Sequence, residues 1–271
     1  METVSFFEIL AIFIVLIGLY IIYKYVFHSQ KTDKELLNKP FPEEWRKILE
    51  KRVWYYRNLE PARKKEFEER VKRFLAEKKI IGVDTEVTDT DKLLVAASAI
   101  IPVFNFPYFN YPNVREILLY PGSFDEKFNT DDTAGQRDIL GMVGDGFMKG
   151  TVVLSKPDLV AAFDGRRHKR NVGIHEFVHL IDKADGAVDG VPEILFQHSY
   201  TFPWLKEIRR EMQKIKKAHS DIDPYALTND AEFLAVVSEY FFDNPEKMKQ
   251  RHPKLYRYLS EMFQQDPVKY A

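Results

Sequence analysis

The segment from Asn171 to Asp182, NVGIHEFVHLID, constrains this chain more than any other stretch. It contains His175, Glu176 and His179 in the pattern His-Glu-x-x-His. In a helix, residues four apart lie one above the other on the same face, so both imidazoles can reach a single metal ion. Glu176 directly follows His175 and can reach a water molecule on that metal. The pattern is typical of zinc metalloproteases, in which the glutamate acts as general base.

The residues around this motif favour a buried helix, because almost all of them are apolar: Val172, Ile174, Phe177, Val178, Leu180 and Ile181. The chain has no cysteine, so a metal ion must be held by histidines and carboxylates. Nitrogen and oxygen ligands in this motif favour zinc, and we expect one Zn²⁺ per chain. The alternative is an amphipathic core helix whose two histidines are only hydrogen-bonded.

The third metal ligand is not decided by the motif. A catalytic zinc takes three protein ligands and keeps one position open for water. The candidates are Glu232, Glu239 and Asp182. Glu232 and Glu239 are seven residues apart on a helix predicted over Asp230–Phe242, and therefore share a face. Asp182 lies three residues after His179 and could instead accept a hydrogen bond from a ligand imidazole.

The first residues of the chain predict a membrane anchor. The segment Phe6–Tyr23 is almost continuously apolar, and residues 6–27 together exceed the roughly 20 residues that cross a bilayer. Lysines follow this segment and none precedes it: Lys24, Lys31, Lys34 and Lys39. The positive-inside rule then predicts a single-pass membrane protein with its N-terminus outside and its catalytic domain in the cytoplasm.

The remaining pattern predicts an α+β fold, in which a helix-rich domain surrounds a small sheet that lies over the HExxH helix. We expect residues 1–28 to form the transmembrane anchor, 29–42 a linker and 43–271 the metallopeptidase domain. Helical spacing extends over Glu43–Lys79 with a break at Pro61, and an apolar, Ala-rich helix is predicted over Leu93–Phe104, ended by Pro102. Two short apolar runs read as strands: Glu116–Tyr120 and Thr151–Ser155.

The second of these strands is a candidate for substrate binding. In sites of this kind, an edge strand beside the active helix can pair with an extended peptide. Thr151, Val152 and Val153 are therefore candidate substrate-binding residues. The alternative, which the residues favour equally, is an ordinary internal strand.

Charged residues and the other histidines give no second functional site. The formal net charge of -1 gives no support for nucleic-acid binding. The basic run Arg166–Arg170 is interpreted as a solvated loop, with attraction of an acidic substrate or partner as the alternative. The remaining histidines are interpreted as surface residues: His28, His168, His198, His219 and His252.

Three segments resemble a known family. HEFVHLIDKADG, DPYALTNDAEFLAVVSEYFFDNPE and the terminal FQQDP are similar to sequences of the Mlc titration factor A family. Members of that family are zinc-dependent peptidases whose catalytic core is similar to the anthrax lethal factor protease domain. The resemblance covers roughly Glu43–Pro267. The apolar segment Phe6–Tyr23 lies outside the family's core domain, and the basic run 166–170 departs from the family's pattern.

The resemblance implies a role for each matching residue. It makes His175 and His179 metal ligands and Glu232 the third ligand, with Glu176 as the catalytic glutamate. Tyr225 matches the tyrosine that faces the reacting carbonyl in such sites. Glu239 and Asp182 are then left to support the ligands or the fold.

The resemblance also frames two functions. The first is a membrane-anchored, zinc-dependent metallopeptidase acting on a peptide or protein substrate. The second is a regulatory protein that docks a transcriptional repressor, because the family's name reflects sequestration of a repressor of sugar uptake. A structural domain with a vestigial site is disfavoured, because Glu176 is present.

Overall fold

Helices and one small sheet make up the part of the chain that the structure describes. The computed structural model describes residues 36–106, 109–123, 141–143, 150–164, 170–195 and 201–270. The helices are α1 (Glu43–Arg52), α2 (Trp54–Arg57), α3 (Pro61–Glu77), α4 (Asp89–Val103), α5 (Lys156–Ala162), α6 (Val172–Asp182), α7 (Thr201–Lys216), α8 (Asp230–Asp243), α9 (Pro245–Arg251) and α10 (Pro253–Phe263). The strands are β1 (Lys79–Gly82), β2 (Glu116–Tyr120), β3 (Gly141–Val143) and β4 (Thr151–Ser155). This is the helix-rich α+β architecture that the sequence predicts.

The four-stranded sheet is mixed, with the order β1-β2-β4-β3. Strands β1, β2 and β4 are parallel, and β3 pairs with β4 in the antiparallel direction. Val152 lies opposite Ile117 on one side and Val143 on the other. The sheet therefore presents β3 as its antiparallel edge.

Of the two alternatives for Thr151–Ser155, the structure shows the internal strand, and the edge-strand hypothesis is wrong. This strand, β4, pairs with β2 on one side and β3 on the other, and all five of its residues are buried. Val152 and Val153 are paired on both sides, so they have no free edge to offer a peptide. Thr151 is buried and pairs with Glu116 of β2. The edge beside β4 belongs to β3, Gly141–Val143, which is not among the strands predicted from the sequence.

Helix α6 packs closely against α4, and a glycine makes this possible. A Cβ atom at Gly173 would overlap the side chain of Ser98 on α4. Gly173 weakens the HExxH helix locally, but close packing against α4 requires a residue without a side chain at this position. Helix α4 is buried along nearly its whole length, begins four residues before the predicted start at Leu93, and continues one residue past Pro102 to Val103. The core thus holds α6 against a rigid neighbour.

Both helices that carry the predicted metal ligands begin at an asparagine. The side chain of Asn171 accepts a hydrogen bond from the backbone N–H of Ile174, and that of Asn229 accepts one from Glu232. Such caps satisfy backbone donors that a helix leaves unpaired at its first turn. They fix where α6 and α8 start, and therefore which side chains turn toward each other.

The predicted membrane anchor lies outside the described residues. Within the part of the chain that the structure describes, no helix is long and apolar enough to span a bilayer. The described residues from Phe41 onward belong to one compact unit.

Candidate metal centre

Two helices bring three potential metal ligands together. His175 and His179 lie one turn apart on α6, and Glu232 lies in the first turn of α8. The Nε2 atoms of the two imidazoles are 3.1 Å apart. The carboxylate oxygens of Glu232 lie 3.0 Å from Nε2 of His175 and 3.5 Å from Nε2 of His179. One ligand atom from each residue lies within 4.8 Å of the others.

This arrangement fits a tetrahedral metal ion. With metal–ligand distances of about 2.0–2.1 Å, neighbouring ligand atoms in a tetrahedral zinc site are about 3.3 Å apart. The separations of 3.0, 3.1 and 3.5 Å between the three donors lie close to that value. Two imidazole nitrogens and one carboxylate also form a donor set that zinc uses in catalytic sites. The residues present therefore fit a metal ion without rearrangement of the fold.

Glu239 holds His175 in the orientation that a metal site needs. Its Oε1 atom lies 2.7 Å from Nδ1 of His175, and its Oε2 atom accepts a hydrogen bond from the backbone N–H of Asn171. A proton on Nδ1 leaves Nε2 as the atom that faces His179 and Glu232. Carboxylates commonly fix ligand histidines in this way. The sequence left Glu239 as a candidate third ligand. In the structure it contacts Nδ1 of His175, on the side of the imidazole away from the other two ligands.

The charges of these groups depend strongly on one another. Burial alone lowers the pKa of His175, but hydrogen bonds to Glu232 and Glu239 outweigh it and raise the pKa to about 10. For Glu232, burial acts to raise the pKa, and hydrogen bonds from His175 and His179 hold it well below its usual range. Among the described residues, no lysine or arginine pairs with Glu232 or Glu239. A cation between the ligands would supply the missing positive charge.

Glu176 is buried beside these ligands and next to the sheet edge. Desolvation raises the pKa of its carboxyl group. A Cβ atom at Gly141, the first residue of β3, would come within 2.6 Å of Oε1 of Glu176. The strand edge therefore approaches the carboxylate so closely that only glycine fits. Gly141 is a site residue that the sequence analysis did not find.

Tyr225 lies at the rim of the centre and is held by two charged side chains. The residue is 40% exposed, and the centroid of its ring lies 6.1 Å from that of His175. The guanidinium of Arg170 stacks over the Tyr225 ring at 4.0 Å. Asp223 accepts hydrogen bonds from Arg170 and from the backbone N–H of Tyr225. Arg170, the last residue of the basic run, is thus joined to the site, whereas residues 165–169 lie outside the described part.

Asp182 does not make the hydrogen bond that its spacing suggested. Its Oδ2 atom accepts from the backbone N–H of Gly190, and its Oδ1 atom has no hydrogen-bond partner among the described residues. Nδ1 of His179 is likewise buried without a partner in that part of the chain. Burial raises the pKa of Asp182 to about 6. Asp182 is the last residue of α6, and its carboxylate binds the backbone of the loop that follows.

His252 is buried, so its interpretation as a surface residue is wrong. Its Nδ1 lies 3.2 Å from Glu211 and its Nε2 lies 2.8 Å from Asp221. These carboxylates precede it by 41 and 31 residues, and nothing in the local sequence points to them. His219 is exposed, as expected, while His28, His168 and His198 lie outside the described residues.

Comparison with known proteins identifies the family. The profile of the family described as glucose-regulated metallo-peptidase M90 matches residues 27–264. The chain belongs to this family. The family resemblance found in the sequence is confirmed, because several similar proteins carry the name Mlc titration factor A. The family's description and the His-His-Glu cluster together indicate a metal-dependent peptidase fold.

The relatives cover most of this chain. An uncharacterised protein from Synechocystis sp. is 29% identical over 245 residues, which is 87% of this chain and 89% of the relative. Mlc titration factor A from Klebsiella pneumoniae strain 342 is 28% identical over 88% of this chain and 91% of its own length. The protein of that name from Pectobacterium atrosepticum is 29% identical over 72% and 77% of the respective lengths.

Proposed function

We propose that this protein is a zinc-dependent peptidase that hydrolyses peptide bonds with a water nucleophile. The observation that carries the proposal is the convergence of His175, His179 and Glu232 beside the buried carboxylate of Glu176. A purely structural pair of histidines has no need of a third donor at ligand distance or of a buried carboxylate next to the strand edge. The family's description as a metallo-peptidase supports the same reaction class.

The metal ion would be held by Nε2 of His175, Nε2 of His179 and the carboxylate of Glu232. When bound there, zinc supplies a Lewis acid and lowers the pKa of water to about 7. Glu239 keeps Nδ1 of His175 protonated, so that Nε2 remains a lone-pair donor. We propose zinc over other divalent ions because the donor set combines two imidazoles with one carboxylate.

Glu176 is proposed as the general base and acid. Its burial raises the pKa of its carboxyl group, which makes the carboxylate a stronger base than one in water. It accepts the proton of the attacking water and later donates that proton to the amine nitrogen of the leaving peptide. Gly141 leaves room for this side chain against the strand edge.

Tyr225 is proposed as the donor to the oxygen that becomes negatively charged at the scissile carbonyl. A single donor of this kind contributes about 3 kcal/mol to transition-state stabilisation. The guanidinium of Arg170 packs on the Tyr225 ring, and Asp223 binds both Arg170 and the backbone N–H of Tyr225. These contacts position an otherwise exposed ring, and Arg170 is thus proposed as a positioning residue.

The substrate is proposed to lie along β3. This strand is the edge next to α6, and its first residue approaches Glu176. A peptide pairing with its backbone would extend the sheet past the metal ligands. Gly141–Val143 thus takes the role first assigned to Thr151–Val153.

We further propose that residues 6–27 anchor the protein in a membrane, with the N-terminus outside and the catalytic domain in the cytoplasm. The apolar run and the lysines that follow it support this orientation. The proposed organisation is an anchor over 1–28, a linker over 29–42 and a metallopeptidase domain over 43–271.

A second function is favoured by the relatives' names. Proteins called Mlc titration factor A are named for their action on Mlc. By analogy, this chain would dock a transcriptional repressor and use its peptidase site secondarily. Such docking predicts that partner binding survives loss of Glu176, whereas the peptidase proposal requires that carboxylate.

The test is hydrolysis of a mixed peptide library by the full-length protein and by the variant Glu176→Gln. We expect cleavage only in the wild type, with equal metal content in both proteins. Glu246→Gln is the matched control, because Glu246 is an exposed glutamate on α9. Full activity in Glu176→Gln would end the peptidase assignment. Bound metal without cleavage in the wild type would favour the docking function.

A further inference from the structure

A second cavity lies next to the start of α6 and shares no residue with the proposed metal centre. Its volume is about 440 Å³, which is within the range of small-molecule sites. It is enclosed by α1 and α2, by the end of α5, by Ile174 of α6 and by the end of α8. No residue proposed to bind metal or substrate lines it.

About half of the surface that lines this cavity is apolar. Trp54 and Phe163 contribute aromatic surface, and Phe242 adds a third ring from α8. Ile101 and Ile174 are buried aliphatic residues at its inner side. A ligand with an apolar body would therefore gain favourable burial here.

The charged lining has an excess of positive groups. Lys51, Arg52 and Arg57 face two acidic residues, Asp164 and Asp243. Arg52 forms an ion pair with Asp164, so these two charges compensate each other. Lys51 and Arg57 are exposed and make no ion pair within the described residues. Two cations thus remain available at the cavity.

Asp243 adds little negative charge at neutral pH. Burial, together with the nearby Glu239, raises the pKa of its carboxyl group to about 8. This shift favours the neutral carboxyl group, which can donate a hydrogen bond. Its Oδ1 atom also accepts a hydrogen bond from the side chain of Asn171, 3.1 Å away.

We propose that this cavity binds a small organic anion, namely a carboxylate with an apolar body. The apolar part lies among the aromatic and aliphatic walls, and the carboxylate lies toward Lys51 and Arg57. A cationic ligand would meet two uncompensated positive charges, and a fully polar anion would leave the apolar walls unfilled. The proposal does not depend on peptidase activity.

A chain of hydrogen bonds joins the cavity to the proposed metal centre. Asp243 binds the side chain of Asn171, which caps α6. The backbone N–H of Asn171 donates to Glu239, and Glu239 holds the imidazole of His175. Three contacts therefore join Asp243, at the cavity, to His175, a proposed metal ligand.

The test uses the full-length chain and three probes with the same apolar body: 4-phenylbutyrate, 4-phenylbutanol and 4-phenylbutylamine. Binding is measured by calorimetry and by the fluorescence of Trp54, whose contribution is identified with the variant Trp54→Phe. We expect one 4-phenylbutyrate per chain, bound at least about tenfold more tightly than the amine, which corresponds to about 1.4 kcal/mol.

Two sets of variants locate the site. Lys51→Gln combined with Arg57→Gln should remove the preference for the acid, whereas Lys65→Gln combined with Arg209→Gln, two exposed cations outside the cavity, should keep it. Ala162→Phe should fill the cavity and weaken binding of all three probes. The exposed charge variants remain informative even if Ala162→Phe does not fold.

Three results would overturn the proposal. The first is absence of saturable 4-phenylbutyrate binding up to about 10 mM. The second is equal affinity for the acid and the amine. The third is an unchanged preference in the Lys51→Gln, Arg57→Gln protein, which would place the binding elsewhere.

Discussion

Within the described residues, two buried histidines each lie between two carboxylates, and their surroundings differ. His175 lies between Glu232 and Glu239, and His252 lies between Glu211 and Asp221. In both cases hydrogen bonds to the carboxylates raise the pKa of the imidazole against the effect of burial. Geometry around a single histidine therefore does not distinguish the two clusters.

The second cluster contains its own compensating cations. Glu211 pairs with Arg210 and Lys214, and Asp221 pairs with Lys247 and Arg251. The hydroxyl of Tyr240 also donates to Asp221. The negative charges of both carboxylates are thus compensated by cations of the protein itself, and the cluster joins α7, α9 and the segment before α10.

The first cluster has no such cations. Within the described residues, Glu232 and Glu239 bind imidazoles and a backbone N–H but no lysine or arginine. A second imidazole, that of His179, replaces them at 3.1 Å from His175. A histidine between two carboxylates is therefore not enough to identify a metal centre. The distinguishing feature is that the carboxylates have no lysine or arginine partner, so a bound cation can neutralise them.

The largest expected effect comes from removing the second imidazole of the first cluster. His179→Ala leaves two ligands, and we expect loss of bound metal and a fall in peptide cleavage of at least about 10³-fold. Metal content by elemental analysis and library cleavage are the measurements. His219→Ala is the matched control, because His219 is exposed. Stoichiometric metal in His179→Ala would remove the distinction between the two clusters.

His252→Ala should lower the stability of the fold and leave metal binding unchanged. It leaves Glu211 buried beside fewer positive groups, and we expect the free energy of unfolding to fall by about 2 kcal/mol. Chemical denaturation measures this change. Metal content and cleavage per folded molecule should equal those of the wild type. Loss of metal in this variant would show that the two clusters are not separate.

Glu239→Gln tests the role of the carboxylate that contacts Nδ1 of His175. The amide can still accept the proton of Nδ1 from His175, but it loses its negative charge. We expect metal affinity to fall about 10- to 100-fold, measured by competition with a chelator. An unchanged affinity would mean that the carboxylate at 2.7 Å from His175 has no role in holding the metal.

The smallest expected effect is on the pH dependence of stability. The pKa of His252 is raised, so its contribution is complete below the ordinary value of 6.5 and is lost as pH rises through the higher pKa of the folded state. Hydrogen bonds from His252 and Lys214 outweigh burial and lower the pKa of Glu211 to about 2, so its contribution is complete above the ordinary 4.5 and is lost as pH falls toward 2.

The stability difference between wild type and His252→Ala should therefore be largest between about pH 5 and 6.5. Denaturation at pH 3, 6 and 9 measures it. A difference that grows steadily from pH 6 to 9 would contradict the assignment of a positively charged His252.

The sequence predicted the local part of the site well. Spacing of four residues places His175 and His179 on one face of a helix, and α6 covers Val172–Asp182 as the apolar pattern indicates. Both short apolar runs predicted as strands, Glu116–Tyr120 and Thr151–Ser155, are strands at those residues. These features depend on neighbours in the chain, which a sequence shows directly.

The features that the sequence did not predict depend on contacts between residues far apart in the chain. The order of strands places β4 inside the sheet, and β3 is only three residues long, without an alternating pattern. The choice of Glu232 over Glu239 came from the family resemblance, since both share one helix face. His252 and Arg170 gained their roles from partners that lie 31 to 53 residues away.

The most direct test of the central claim is zinc K-edge X-ray absorption of the full-length protein loaded with one equivalent of zinc, beside the variant Glu232→Ala. The account predicts one tightly bound zinc per wild-type chain, with two imidazoles and oxygen donors at about 2.0–2.2 Å, and one fewer protein ligand in the variant. Absence of stoichiometric zinc, or a spectrum without two imidazoles, would contradict it.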